Sequence, residues 1–589
     1  MSVAIGRLKL RWNTDSGIEP LEGVAPVSPE TQQWMAGIKR IFSKSFSRFL
    51  GPDAIFNGGL LVVFAVLATV GILHHPMWRD ELQAWLVAVD SRSLGELFSN
   101  LRLETHPCLW HLLLYCVSRI TANPVGMQIL HLVLAVTTIW VFLRFSPFRR
   151  IEKGLFIFGY FPFYEFCLIS RDYVLVVLCV FLLCVLLQNW PRRYIPIAIV
   201  LFCLVNAHAY GMVLALAFSG FLLCEKVFCR LGNPTSQPRW KLVTAAVIAL
   251  VGFALGLWKC LLVPASTWQH ALTSDRLTLS LITIWRGYVP LPIEFPYWPR
   301  FEWGRNFLCD AIAPPVFVLC IFSVVLAMCA AGVLLDRPKG VFLYSLITSG
   351  VLLFQFLFGG GALRQTGLLF IGFIAVLWLS ASTFEATTFA GLLQTVCGRI
   401  PAWRQSFLMI LLVTHLAAGV YAYTAEWTRP FSATRETAQF LRRQGVAGKP
   451  IVASDEGITQ GLAAYLQRPL YYPDSSRWGS HAPFRVIPQI SAKKIIQSAY
   501  NLFEEKKEEV VMALTFQLNI SSSNETNTPL SVIYLGPNGA VYSGANGIVL
   551  SPSEVSELPL PRVKIKKLVQ FDKVIVDEAY YVYLLETES

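Results

Sequence analysis

The segment IFNGGLLVVFAVLATVGILH at 55–74 is followed almost at once by Trp78-Arg79-Asp80-Glu81-Leu82-Gln83-Ala84-Trp85. At about 1.5 Å per residue the first stretch crosses the ~30 Å hydrocarbon core of a bilayer. The second sets two adjacent carboxylates at the membrane surface, where dehydrated charge is costly and therefore marks a candidate site. In helical geometry over 78–90, Trp78, Leu82, Trp85, Leu86 and Val89 form one apolar stripe. Asp80 then points nearly opposite that stripe and Glu81 sits on its flank. The expected picture is a helix lying on the membrane, its tryptophans at headgroup depth and Asp80 facing an outer aqueous cavity. The plainer alternative is a solvated interfacial helix with an incidental acid.

The rest of the chain fits a membrane setting. Of 589 residues, 54% are hydrophobic and only 15% charged, against about 25% charged in soluble domains. The expected fold is mainly α, a polytopic membrane helix bundle with in-plane outer helices and a small C-terminal α/β extracytoplasmic domain. Apolar runs fall near 55–74, 125–145, 154–169, 171–190, 195–210, 211–224, 241–258, 313–333, 340–358, 366–382 and 406–424. The polar tail before them carries Arg7, Lys9, Arg11, Lys39, Arg40, Lys44 and Arg48. It reads as the cytoplasmic side of an uncleaved signal anchor. Alternating from there, each inner loop is basic: Arg144, Arg149, Arg150 and Lys153; Arg192 and Arg193; Lys226, Arg230, Arg239 and Lys241; Arg337 and Lys339; Arg399 and Arg404. The net charge of +12 thus belongs to cytoplasmic loops, not to a nucleic-acid partner.

This alternation requires that 106–121 not cross. Sixteen residues reach only about 24 Å, so the segment reads as an in-plane or re-entrant outer helix. About eleven spans then leave the C-terminus outside. The expected domains are a cytoplasmic tail at 1–54, a membrane domain at 55–424 with an outer loop at 75–124, and an extracytoplasmic domain at 425–589. Within the last, 434–444 reads as a helix and 450–453, 531–534 and 574–585 as strands. All thirteen cysteines lie between 108 and 397, so the outer domain has no disulfide framework. Asn519 and Asn524 head formal glycosylation sequons.

Further polar residues punctuate the apolar map. His106-Pro107 suits a helix start with Thr105 or His106 as N-cap, or a contact to a substrate anion. Arg171 either snorkels to headgroups or binds phosphate bidentately, and Asp172 reads as its structural partner. His208, in Asn206-Ala207-His208-Ala209-Tyr210-Gly211, is part of a turn or lines a cavity. Arg364 follows Gly359-Gly360-Gly361, either a tight turn or a phosphate cradle. Lys259, Arg276, Arg286, Arg300 and Arg305 lie in the long outer segment 259–312, available to phosphate or simply to solvent. His74 and His75, with Asp80, Glu81 and His106, leave a divalent metal open as an alternative. No phosphate-binding Walker motif or strand-linked Gly-x-Gly-x-x-Gly occurs, so no cofactor is required.

The Asp80-Glu81 pair and His106-Pro107-Cys108-Leu109, together with Arg171-Asp172-Tyr173 and Gly361-Ala362-Leu363-Arg364-Gln365, resemble signatures of the GT-C class of membrane glycosyltransferases. Relatives in that class include the protein O-mannosyltransferases and the lipid A aminoarabinose transferases. The chain departs from the pattern at Cys108, where a second proline is usual, and at Gln365, where histidine is usual. The resemblance implies transfer of a sugar from a polyprenyl-phosphate donor to an acceptor hydroxyl (of a lipid, glycan or protein) on the outer face of a bacterial inner membrane. It implies Asp80 and Glu81 as catalytic residues, Glu81 orienting its neighbours more than doing chemistry, and His106, Arg171, Tyr173, His208, Lys259 and Arg364 as substrate-binding. Asp80 would be the general base of an inverting attack, with cations stabilising the leaving phosphate. The rival classes are a transporter, which calls for repeated halves and broken midplane helices, and a non-catalytic lipid- or polysaccharide-assembly protein.

Overall fold

The computed structural model describes residues 51–104, 106–188, 193–229, 238–261, 273–293, 301, 303–359, 361–387, 392–482, 492–520, 532–534, 540–542, 548–550 and 563–587. The basic N-terminal tail, Thr105, Arg192, Arg230, Arg300 and Asn524 fall outside them, as does the side chain of Asn519. Two units are distinguished, Met1–Gly58 and Gly59–Ser589. The first contributes only the start of one helix to the described residues, and the second holds the bundle and the sheet.

Helix α1 (Pro52–His74) leads into α2 (Arg79–Asp90), α3 (Leu94–Asn100) and α4 (Leu109–Ser118). Then come α5 (Val125–Phe145), α6 (Arg150–Ile157), a π-helix (Tyr160–Leu168), α7 (Tyr173–Leu187), α8 (Tyr194–Ala207), α9 (Ala209–Cys229) and α10 (Arg239–Leu261). They are followed by α11 (Ser274–Tyr288), a second π-helix (Phe307–Ala311), α12 (Val316–Gly332), α13 (Pro338–Phe358), α14 (Leu363–Ser382) and α15 (Leu392–Ala425). Among the described residues six helices are long and apolar enough to cross a membrane: α1, α5, α10, α13, α14 and the Gly398–Ala425 part of α15. Helices α4, α7, α8 and α12 and the Ala209–Glu225 part of α9 are apolar but shorter. The protein is an integral, multi-pass membrane protein. Its outer faces confirm the solvent: Val62, Val66, Leu250, Phe317 and Ile410 are exposed, a surface that water would penalise and lipid does not. Beyond its first turn, helix α14 is apolar all round and is buried from Thr366 to Ser380, the mark of a central helix.

Three segments differ from the sequence expectation. The 154–169 run is not one helix. It is α6 followed by a π-helix around Pro162, a residue with no N–H to give an α-helical ladder. The segment after α10 contains α11, an amphipathic helix packed against α12, α13 and α14. Gly287 allows this approach, since a Cβ there would lie 2.6 Å from the Thr366 carbonyl oxygen. The expected helix start at His106 is displaced: α4 begins at Leu109 after Cys108. At ten residues it reaches about 15 Å, too short to span.

The C-terminal domain carries α16 (Thr434–Arg443), β1 (Ile451–Ala453), α17 (Glu456–Leu466), β2 (Leu470–Tyr472), β3 (Arg477–Gly479), α18 (Ala492–Lys506) and β4 (Val510–Leu514). Small ladders join β5 (Leu518–Ile520) to β8 (Ile548–Leu550) and β6 (Val532–Tyr534) to β7 (Ala540–Tyr542). With β9 (Val563–Phe571) and β10 (Tyr580–Thr587), the main sheet has the order β3-β2-β1-β4-β10-β9. Strand β1 runs parallel to β2 and β4, with Val452 opposite Tyr471 and Met512. The strand expected over 574–585 begins only at Tyr580. Ile575 and Val576 pack into the core of the membrane bundle instead, and this docks the domain on α2.

Candidate active site

The start of α2 is where the bundle and the C-terminal domain meet. Acids in a first helical turn complement the helix dipole, and here each residue of Arg79-Asp80-Glu81 has a different anchor. The Arg79 guanidinium donates to both carboxylate oxygens of Asp577 at 2.9 and 3.2 Å, and its backbone N–H donates to Glu578 at 2.7 Å. Glu81 turns inward and is fully buried. It accepts the Trp78 N–H at 3.1 Å and the Ser170 N–H at 2.6 Å, and pairs with His75 at 3.0 Å.

Asp80 alone faces outward. Its Oδ2 lies 2.9 Å from Arg171 Nη1 and 3.2 Å from Arg364 Nη2. The three side chains stay partly accessible, at 30%, 14% and 19%, while Trp78, Glu81, Ser170, Asp172 and Leu363 beside them are buried. Burial works to raise the Asp80 pKa, but Arg171, Arg364 and Arg79 outweigh it and hold the carboxyl below its ordinary range. Arg364 also lies over the indole rings of Trp78 and Trp303, 5.6 and 5.2 Å from their centroids. The turn that delivers it is clasped by Gln365, whose Oε1 accepts the N–H of Gly361 at 2.8 Å and of Ala362 at 3.2 Å. Gly361 has φ +104°, a conformation that favours glycine.

Tyr173 lies beside Arg364 and extends the cluster inward. Its ring centroid is 4.4 Å from that of His208, which lies 4.5 Å from that of His106. The Tyr210 N–H donates to His208 Nδ1 at 3.0 Å. A neutral ring accepting there carries its proton on Nε2, and that buried atom has no hydrogen-bond partner among the described residues. His106 pairs with Glu104 at 2.8 Å. Although burial opposes both charges, this contact raises the His106 pKa and lowers that of Glu104 to about 2.

Six sequence candidates therefore form one continuous group: Asp80, Arg171, Arg364, Tyr173, His208 and His106. Two do not join it. Lys259 is buried at the end of α10 and donates to the carbonyls of Glu104 at 2.7 Å and Arg102 at 3.5 Å, so it holds the loop that carries His106. Glu81 has its oxygens committed to the interior. Arg171 pairs with Asp80, correcting the expected Arg171–Asp172 pair, and Asp172 Oδ1 lacks a hydrogen bond among the described residues. Trp78 and Trp85 are also corrected, being 4% and 1% exposed. They are covered by protein, with α2 packed between α4 and α17, and are not presented to lipid headgroups.

The histidine pair is split. The His74 ring stacks on Trp427 at 4.1 Å, whereas both nitrogens of His75 face carboxylates. No group of three metal-capable side chains occurs among the described residues. Glu165 accepts the Trp303 indole N–H at 3.1 Å beneath Arg364, and Trp303, Glu426, Asp577 and Glu578 carried no signal in the sequence. A cleft of about 280 Å³ lies along the far end of α2, lined by Trp85, Leu86, Asp90, Gln467, Arg468 and Ser480 among others. It is separate from the Asp80 cluster.

Chemically, two guanidinium groups from separate elements converge on one accessible carboxylate. An incoming phosphate can replace that carboxylate as their partner, since guanidinium groups bind phosphate oxygens as they bind carboxylate oxygens. The carboxylate so released is a proton acceptor beside the bound anion.

No family model matches the sequence, and no curated protein does. Among solved structures the chain is similar to the crystal structure of ArnT from Cupriavidus metallidurans bound to undecaprenyl phosphate. The TM-score is 0.44 with 10% identity, covering 89% of this chain and 97% of that one. It is similar also to ArnT from the same organism in the apo state, with TM-score 0.43 and 11% identity, covering 90% of this chain and 98% of that one.

Proposed function

We propose that this protein is a membrane glycosyltransferase that moves a sugar from a polyprenyl-phosphate donor to an acceptor hydroxyl on the outer face of the membrane. The observation that carries the proposal is the convergence of Arg171 and Arg364 on the accessible carboxylate of Asp80. A lipid-borne phosphate reaching α2 from the bilayer takes over the two guanidinium groups. With those cations shared, the Asp80 carboxylate regains the basicity they suppress. It then accepts the proton of the acceptor hydroxyl as that oxygen attacks the sugar C1. The C1–O bond to phosphate breaks, the electron pair leaves with the polyprenyl phosphate, and Arg171 and Arg364 hold the departing charge.

One carboxylate suffices for this inverting course. A retaining enzyme needs a second carboxyl about 5 Å away as nucleophile, and Glu81 is buried with its oxygens on His75, Trp78 and Ser170. Tyr173, His208 and His106, lying inward of the arginines, are assigned to the glycosyl group. The same reading puts 1–54 in the cytoplasm, makes 55–424 the catalytic membrane domain and places 425–589 outside.

The test uses purified protein in lipid nanodiscs with undecaprenyl phosphate as first probe, then undecaprenyl-phosphate sugars with lipid, glycan and peptide acceptors. Wild type is expected to bind the lipid phosphate, and Arg171→Ala/Arg364→Ala to lose that binding while remaining folded. Equal binding by wild type and the double variant overturns the proposal.

A further inference from the structure

We infer that the buried His75–Glu81–Glu426 triad is a positioning device that fixes Asp80 and Arg171 against each other, His75 being its keystone. Its consequence for ligand binding rests on the reading of that pair given above.

His75 follows α1 directly and is fully buried. Its Nε2 lies 3.0 Å from Glu81 Oε2, and its Nδ1 lies 2.9 and 3.2 Å from the two Glu426 oxygens. A neutral imidazole has only one N–H, so with both glutamates ionised the two contacts are met together by the doubly protonated ring. Glu426, just past the end of α15, also accepts the Tyr164 hydroxyl at 2.5 Å. The backbone carbonyl of His75 accepts Gln128 of α5 at 3.2 Å, and the ring packs 4.6 Å from Phe431. Ends of α1, α2 and α15, one residue of α5 and the π-helix therefore meet around the His75–Glu81–Glu426 triad.

What the triad holds distinguishes it from an ordinary buried ion pair. Apart from His75, the Glu81 oxygens bind two backbone amides, Trp78 N–H and Ser170 N–H. Ser170 precedes Arg171, and Trp78 lies two residues before Asp80. One carboxylate thus sets the spacing between the two backbone segments that carry the Asp80–Arg171 pair, and His75 keeps it from turning away. A buried charge group of this kind is often less stabilising than an apolar replacement of the same volume. Its geometric role supplies what stability does not.

The experiment compares the full-length protein with His75→Gln/Glu426→Gln, which removes one buried positive and one buried negative charge together. Three quantities are measured: the unfolding midpoint, amide hydrogen exchange, and binding of undecaprenyl phosphate in nanodiscs. The double variant is expected to unfold near the wild-type temperature. Peptides covering 76–84 and 168–174 should exchange at least about tenfold faster, with those covering 434–443 unchanged. Lipid-phosphate affinity should fall between about 10- and 100-fold, as small misplacement of a binding pair commands. Wild-type exchange in both peptides of the folded variant overturns the inference, whatever the binding. If wild type itself does not bind undecaprenyl phosphate, the functional proposal fails while exchange still decides this one. Should the double variant not fold, the near-isosteric Glu81→Gln is judged by the same exchange criterion.

Discussion

Asp80 and Glu81 are chain neighbours of nearly identical chemistry, yet their surroundings are opposite. Glu81 is fully buried among His75 and two backbone amides, while Asp80 keeps 30% of its side chain accessible and faces two arginines. One carboxylate is sealed into the scaffold and the other is left where a ligand can reach it. The difference comes from a turn of about 100° between successive helical residues, which sends one side chain into the bundle and its neighbour out. Adjacent acids at a membrane surface thus do not act as a pair here, and they should fail differently when altered.

The largest expected effect lies on the Asp80 side. Asp80→Asn should lower sugar transfer by about 10²–10⁴ with little change in unfolding temperature. Because the carboxylate competes with phosphate for Arg171 and Arg364, the same variant should bind undecaprenyl phosphate more tightly than wild type, measured by titration in nanodiscs. Weaker binding would show that Asp80 helps hold the anion and would break the exchange mechanism.

On the Glu81 side the damage should be to the fold. Glu81→Ala leaves His75 facing one carboxylate and strips two amides of their acceptor. Breaking such a buried pair costs roughly 3–5 kcal/mol, read as a lower midpoint in thermal or denaturant unfolding. A pH signature accompanies it. Burial opposes the His75 charge, but Glu426 and Glu81 raise its pKa from 6.5 to about 10. A raised basic group stabilises fully below its unfolded pKa, and that contribution is lost as pH rises through the folded value. The wild-type midpoint should therefore fall towards that of His75→Gln as pH climbs from about 7 to about 10. A constant gap across the range would mean that His75 is neutral in the folded protein.

Smaller effects sharpen the contrast. Arg364→Ala removes one charge-assisted contact of about 1.5–3 kcal/mol, so undecaprenyl phosphate should bind about 10- to 100-fold more weakly. Asp577→Asn weakens a pair whose members are only 19% and 20% exposed, and about 1 kcal/mol of stability is expected from such a pair near the surface. Its main readout is faster hydrogen exchange where the C-terminal domain meets α2, with transfer less affected than in Asp80→Asn.

Much of this was legible in the residues. The run at 55–74 and the stripe of Trp78, Leu82, Trp85, Leu86 and Val89 depend only on local periodicity, and α1 and α2 follow from it. The outward aspect of Asp80 came from the same geometry. The destination of the stripe did not, because a helix buried against α4 and α17 has the same sequence pattern as one lying in headgroups. Helix α11 was not expected because Leu277-Thr278-Leu279-Ser280-Leu281 alternates with the period of a strand, and its burial depends on partners far along the chain. His106 read as a cap because Pro107 follows it, but its side chain contacts Glu104 and His208 and the helix starts at Leu109.

The sequence by itself determined the solvent: the lengths of the apolar runs and the basic residues between them make this a multi-pass membrane protein, whatever its packing. It also set which charged groups were available at the helix ends. Only the tertiary structure decided which carboxylate would be buried and that Arg364, 284 residues away, would meet Arg171 at Asp80. Local periodicity acts over a few residues, whereas the choice of partner for a charge is made by burial and Coulomb attraction between segments that only the folded chain brings together.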